Sequence, residues 1–331
     1  MGAETKIEWC HHTFNPWIGC TKVHAGCLNC YAEAQNGRWA YNGGTWGKGA
    51  PRKVTSDSNW KQPLKWARDA AKAGERRRVF CASLADVLDE EAPPDAQARL
   101  WDLIRETSRV AGRHCLASRD GDCLGKECPQ LRDGEPKRSG RHCPLDSACE
   151  EDDGETILHP VFGLDWLLLT KRPERWALIP EDVRPLVWLG TSISDQQTAD
   201  EWVPRLLKAE GFAVRFLSIE PQVGPIDLFR FEVAAVDWII VGGESGPSAR
   251  PFNVEWACHA VRYGAQIGTP VFVKQLGGVP FESGFATRDI GGGDLRIQPA
   301  RRDLDLKDRK GGDWSEWPAD LRVREFPEAR R

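Results

Sequence analysis

Short apolar runs recur along the chain, separated by amphipathic stretches. Ile7–Trp17, Val79–Ser83, Leu164–Leu169, Leu186–Gly190, Val214–Leu217, Trp238–Val241 and Val271–Val273 read as strands. Between them Cys30–Ala40, Pro63–Ala73, Pro93–Val110, Gln197–Ala209 and Val254–Tyr263 read as helices, with a shorter one near Glu174–Leu178. In the third of these, Leu100, Leu103, Ile104 and Val110 share a face, and Pro93 sits in the first turn. Apolar strands alternating with amphipathic helices predict a parallel sheet with right-handed crossovers. The expected fold is α/β, a partial (βα) barrel of about six to seven strands.

Two stretches break the alternation. Residues 42–60 form a Gly-rich loop of the length that covers sites. Residues 112–160 are polar and rich in Gly, Pro, Asp and Glu, and read as an insertion. The expected segments are therefore 1–111, 112–160, 161–287 and a tail over 288–331. The tail mixes charge signs, which favours a solvated face, but Trp314 and Trp317 predict that it docks on the body as a lid.

Polar residues collect where the apolar runs end, and carboxyl ends of parallel strands form the active face of barrels. Ser83 and Asp86 follow one run, Thr170, Lys171 and Arg172 the next, and Thr191, Ser192 and Ser194 the next. Ser218 and Glu220, then Gly242–Ser245, then Lys274 and Gln275 complete the set. Lys171, Arg172 and Lys274 suit the phosphates of a substrate. The alternative is structural pairing with Glu220, Glu244 or Asp86.

After the first strand, TFNPWIGCTKVHAGCLNCY places Cys20, Cys27 and Cys30 in a C-x6-C-x2-C array. Buried cysteine is common, but Asn-Pro, Gly and Lys here are the composition of a loop. Thiolates suit both zinc and iron–sulfur clusters. A structural zinc site takes four ligands and an electron-transfer cluster four cysteines. Three cysteines therefore point to a cluster with one open iron, while Cys10, His11, His12 and His24 lie near enough to complete a zinc site. In the insertion, Cys123, Cys128, Cys143 and Cys149 could form a second site. Zinc, an auxiliary iron–sulfur cluster and an idle loop all remain open there, although so polar a segment needs a metal to order it.

Composition narrows the setting. The 331 residues are 40% hydrophobic, enough for a sizeable core, with no apolar run long enough to span a membrane and no signal-peptide core. Eleven cysteines, an odd number in clusters without a secretion signal, imply metal thiolates in a reducing cytosol. The net charge of −4 hides an asymmetry: residues 1–80 carry 13 Lys/Arg against 6 Asp/Glu, and residues 81–160 carry 10 against 18. Trp9, Trp17, Trp39, Trp46, Trp60 and Trp66 fall in the basic part, a pattern that suits phosphates and stacked bases. The chain lacks the phosphate-loop and dinucleotide glycine motifs, which argues against ATP or NAD.

Several longer strings carry a resemblance. They are W-x-x-x-T-F-N-P-W-x-G-C from Trp9 with the C-x6-C-x2-C-Y that follows, LTKRPER at Leu169–Arg175, and WLGTS at Trp188–Ser192. SIEP at Ser218–Pro221, VGGESGP at Val241–Pro247 and KQLGG at Lys274–Gly278 continue it. Together they resemble a phage-associated three-cysteine-motif family related to the radical SAM superfamily. The resemblance implies a partial barrel in which Cys20, Cys27 and Cys30 hold a [4Fe-4S] cluster. It also implies S-adenosylmethionine at the open iron, an electron donor, and cleavage to a 5′-deoxyadenosyl radical. Tyr31 corresponds to an aromatic residue against adenine; Ser192, Ser194 and Glu220 become candidates for the ribose and carboxylate. Two departures stand beside it. The superfamily's commoner spacing is C-x3-C-x2-C, and its Gly-Gly-Glu element follows an early strand, whereas Gly242–Glu244 follows a late one.

The expected function is thus a cytoplasmic radical SAM enzyme that modifies or repairs a nucleic acid or nucleotide. A non-catalytic zinc protein binding nucleic acid or a partner, and an iron–sulfur redox regulator, are the competing readings.

Overall fold

The computed structural model describes residues 5, 7–108, 110–111, 131–132, 135–136, 161–231, 236–289 and 295–327. Its centre is a seven-stranded, all-parallel sheet curled into a half-barrel. The strands are β1 (His12–Phe14), β2 (Arg76–Cys81), β3 (Val161–Thr170), β4 (Val187–Ile193), β5 (Val214–Ile219), β6 (Trp238–Gly242) and β7 (Val271–Gln275). Each pairs with its predecessor in the chain, the order expected of a partial (βα) barrel. All seven residues of β4 and all five of β6 are buried, as strands covered on both faces require.

Successive residues divide the core into two layers. Val79, Leu168, Leu189, Leu217, Ile239 and Val273 pack into the larger cluster, which also takes in the helices α3 (Pro94–Ser108), α4 (Gln196–Leu207) and α5 (Val254–Ile267). Their neighbours Phe80, Leu167, Trp188, Phe216, Trp238, Ile240 and Phe272 form a second cluster on the opposite, concave face. The same alternation puts Lys171, Ser192 and Lys274 on that concave side, above the aromatic layer. Ahead of β2 lie α1 (Tyr31–Trp39) and α2 (Gln62–Ala73). The connection after β3, expected as a helix, is the 3-10 segment Pro173–Leu178, opened by Arg172-Pro173.

The C-terminal region differs most from expectation. β8 (Pro280–Asp289) and β9 (Leu295–Asp303) form an antiparallel ribbon, so the boundary expected at residue 288 falls inside a strand. The tail does dock on the body, but along the open edge of the sheet. Val273 N–H donates to the Val323 carbonyl and Glu325 N–H to the Val271 carbonyl, each at 2.9 Å. That contact satisfies an edge that would otherwise template pairing with another chain. Trp317 is 2% exposed, and its indole N–H donates to Gly311 O at 3.0 Å.

Among the described residues no helix is long and apolar enough to cross a membrane. Cys123, Cys128, Cys143 and Cys149, the expected second metal site, lie outside the described residues.

Trp317→Ala should therefore cost about 3–5 kcal/mol of stability, the usual penalty for deleting a buried aromatic. A chemical-denaturation midpoint unchanged by the substitution would show that the tail does not hold the sheet edge.

Candidate functional site: a cysteine loop clasped over the mouth of the half-barrel

β1 ends at Phe14, and Asn15 turns the chain. Its side chain accepts from Leu84 N at 2.7 Å and donates to Ser83 Oγ at 3.0 Å. Ala82, just before, adopts φ +63, a left-handed value that a non-glycine residue holds only where its surroundings enforce it. Trp17–Ile18 then pairs with Lys53–Val54, and Gly19 N–H donates to Leu84 O at 3.1 Å. This fixes the point from which residues 20–30 cross the mouth.

Three clamps hold the crossing. The first grips its start. Arg172, only 2% exposed, sends Nη2 to the Thr21 carbonyl at 3.1 Å, and its Nη1 lies 4.0 Å from Cys20 Sγ. The same guanidinium meets Asp86 at 3.0 Å, Asp89 at 3.3 Å and Glu90 at 2.7 Å. Arg52, also buried, bonds Asp89 at 2.8 Å and Thr21 Oγ1 at 2.7 Å. Burial acts to lower the Arg172 pKa, but Asp86, Cys20, Glu90 and Asp89 outweigh it and hold the guanidinium charged.

The second clamp is at the middle. His24 caps the short helix Ala25–Cys27, its Nδ1 accepting from Gly26 N at 2.9 Å. Its ring stands edge-on to Trp202 with centroids 4.7 Å apart. A Cβ at Gly26 would collide with Ser194 Oγ and His24 Cε1, so only glycine allows this approach to the end of β4. The third clamp is at the far end. Glu244 accepts from Asn29 Nδ2 at 3.0 Å and pairs with Arg250 at 2.8 Å, while Arg250 Nη1 donates to Ala25 O at 3.1 Å. Burial works to raise the Glu244 pKa, yet the bonds from Arg250 and Asn29 pull it below the ordinary carboxylate value.

Each residue expected at the site has a definite place. Cys27 is buried, and Cys30 forms the N-cap of α1. Cys20 donates to the Thr21 carbonyl at 3.5 Å; burial first, then Asp86, pushes its thiol up to about 12. Tyr31 presents an exposed ring while its hydroxyl donates to the Ser83 carbonyl. Lys171 Nζ donates to Ser192 Oγ at 3.0 Å, and Ser192 Oγ donates to Glu220 O at 3.0 Å. Glu220 pairs with Lys274. The concave polar layer is thus one connected chain across the mouth, from Lys171 through Ser192 and Glu220 to Lys274. Ser194 Oγ is fully buried and, among the described residues, has no hydrogen-bond partner.

Of the two roles open to the cations, ion pairing is what the geometry contains for Arg172, enclosed by carboxylates, and for Lys274, bound to Glu220, whereas Lys171 bonds Ser192 and lines the cleft without an ion pair among the described residues. Gly242 and Gly243 allow the backbone of Gln275 and Leu276 to approach closely, with Gly243 N–H bonding Gln275 O at 3.0 Å. Beside the loop lies a cleft of about 310 Å³ whose walls include His24, Lys171, Glu174, Asp195 and Arg205.

The donor chemistry at the mouth fits a thiophilic metal: three free thiols on one anchored loop. Among the described residues no three His, Cys, Asp or Glu side chains are gathered in ligating positions. A metal would have to gather the three sulfurs, and Cys20 would then give up its contacts with Thr21 and Arg172.

Fold and site together define a parallel half-barrel with a cysteine loop fastened across its carboxyl-end mouth. The chain belongs to the family described as "Protein of unknown function (DUF5131)", which matches residues 4–114 and 157–316. No curated protein and no solved structure matches it.

Sequence reasoning missed Arg52, Asp89 and Arg250 as clamps. The bonds by which the two arginines reach the loop span 31 residues from Arg52 to Thr21 and 225 from Arg250 to Ala25, so no local pattern marks them.

Two outcomes follow. Gly26→Ala should lift the loop from Ser194, and Cys27 should then react severalfold faster with a maleimide; an unchanged rate would contradict the steric argument. His24 should titrate near 4, held down by burial first and then by Lys171, with Arg250 adding to the effect and Asp195 opposing it. The unfolded chain then binds the extra proton first, so stability falls as pH drops from about 6.5 toward 4, by on the order of 3 kcal/mol. A His24→Gln chain should lose that part of the pH dependence in denaturation curves.

Proposed function

We propose that the chain is a radical SAM enzyme, with Cys20, Cys27 and Cys30 holding a [4Fe-4S] cluster, acting on a nucleic acid or nucleotide. The observation that carries this reading is the clasped loop. The three cysteines ride on the segment that closes the carboxyl-end mouth, where barrels of this kind do their chemistry. Bound there, the cluster and S-adenosylmethionine would supply one-electron cleavage of the sulfonium and abstraction of a hydrogen atom from substrate.

The chain's own residues supply orientation and water exclusion. Tyr31 offers an exposed aromatic face beside Cys30, its hydroxyl tied back to Ser83, and suits adenine. Ser194, buried with its hydroxyl unspent, suits a hydroxyl or carboxylate of the cofactor. Ser192 and Glu220 already bond each other, Lys171 and Lys274, so they set the shape and charge of the mouth. Arg172 and Arg52 fix Thr21, and through it the position of Cys20. The resemblance in the cysteine loop and the strand-end strings supports the cofactor half. The basic first 80 residues, with Trp39 exposed beside Arg38, support the nucleic-acid half, although Trp9, Trp17, Trp60 and Trp66 of that stretch are buried in the core and not free to stack. A cytoplasmic setting with an electron donor completes the proposal.

Anaerobic reconstitution with iron and sulfide, then dithionite and S-adenosylmethionine, should give 5′-deoxyadenosine from the full chain and none from Cys27→Ala. An iron-loaded chain that gives none, or a chain that takes up only zinc, would turn the reading toward the regulator or the zinc protein.

A further inference from the structure

The outer face of α1 takes no part in the three clamps, and Tyr31 is tied to the body by its hydroxyl, which donates to the Ser83 carbonyl and leaves the ring exposed. Tyr31, Gln35 and Arg38 recur at helical spacing and are all exposed, with Trp39 flanking them at the last position. Tyr31 is 52% and Trp39 58% exposed, and Tyr41, just past the helix, is 37% exposed. Three aromatic rings in water along one short segment are an expensive surface unless something covers them. The opposite side of α1 is occupied: Asn36 Nδ2 donates to Thr45 O at 2.8 Å and Asn36 Oδ1 accepts from Asn42 N at 2.7 Å. That folds the Gly-rich loop 42–52 against the helix and leaves the aromatic side open.

Charge indicates what covers it. Both carboxylates between residues 21 and 65 are already neutralised, Glu33 by Lys22 and Asp57 by Arg99. Arg38, Lys48, Lys53 and Lys61 are exposed, and among the described residues none of them makes an ion pair. The Arg38 guanidinium lies 5.0 Å from the centre of the Trp39 ring, which holds cation and ring side by side. Exposed rings interleaved with unpaired cations match a polyanion whose bases are free to stack. A duplex keeps its bases stacked inside and offers rings of this kind nothing to bind.

We propose that this face of α1, with Tyr41 and the unpaired lysines of the adjoining loop, binds single-stranded nucleic acid. Trp39 and Tyr41 take bases by stacking, Arg38 takes a phosphate, and Tyr31 stands at the end next to Cys30. Nine helical residues span roughly 13 Å, so a strand laid along α1 runs directly to the mouth. The proposal rests on the nucleic-acid half of the proposed function and needs no cluster.

The test is fluorescence anisotropy of a fluorescein-labelled, mixed-sequence DNA single strand with the full chain at several salt concentrations. Trp39→Ala should weaken binding about tenfold or more. Arg38→Gln should weaken it and reduce the slope of log affinity against log salt by about 0.7. Both side chains are exposed, so folding is not at stake. Wild-type affinity in both variants would overturn the proposal, as would equal affinity for a duplex of the same length. Binding that responds to both variants in a chain that makes no 5′-deoxyadenosine would remove only the enzyme reading. Unresponsive binding in a chain that does make it would remove only this one.

Discussion

The structure depends on a buried knot of charge. Arg172 and Arg52, each with a side chain 2% exposed, share Asp89, and Arg172 also takes Asp86. Charges this deep persist only when paired, and removing one partner of such a pair typically costs about 3–5 kcal/mol. The knot joins the carboxyl ends of β2 and β3 to Thr21, so the barrel and the cysteine loop are fixed by the same atoms. An arginine is the side chain suited to this work, because its planar fork reaches several acceptors at once and stays charged.

The remainder of the mouth follows from alternation along the strands. Below, the concave face is closed by Phe80, Trp188, Phe216, Trp238 and Phe272. Above, the same face carries Lys171, Ser192, Glu220 and Lys274, with Lys171 bonded to Ser192, Ser192 to the Glu220 backbone carbonyl and Lys274 to the Glu220 carboxylate. The mouth is thus an apolar floor under a polar rim. The loop bearing Cys20, Cys27 and Cys30 roofs this space, anchored at Arg172, Ser194 and Glu244.

Much of this was legible in the residues. Strands such as VWLGTSI and WIIVG are buried throughout because both faces are covered, and their apolar stretches VWLG and WIIVG therefore stand out as short runs. Polar strand ends identified the mouth before any contact was known. What local pattern could not convey was pairing over long separations. Arg172 reads either as a cation available to substrate or as a partner of Asp86, and the assembled fold pairs it with Asp86 and adds Asp89; Glu244 stands in a glycine turn, and nothing local marks its hold on Asn29. The β8–β9 ribbon was missed because its sequence, with scattered glycine and arginine, lacks the apolar alternation of a half-buried strand. The tail's tryptophans announced docking, but the edge they guard becomes visible only once the sheet is assembled.

The central claim is that this mouth holds a cluster with an open iron able to take S-adenosylmethionine. The most direct measurement is electron paramagnetic resonance of the anaerobically reconstituted, dithionite-reduced chain, with iron and sulfide determined on the same sample. The account predicts a reduced [4Fe-4S] signal that changes shape when S-adenosylmethionine is added. A cluster signal indifferent to it, or a chain that holds no iron, would contradict the account.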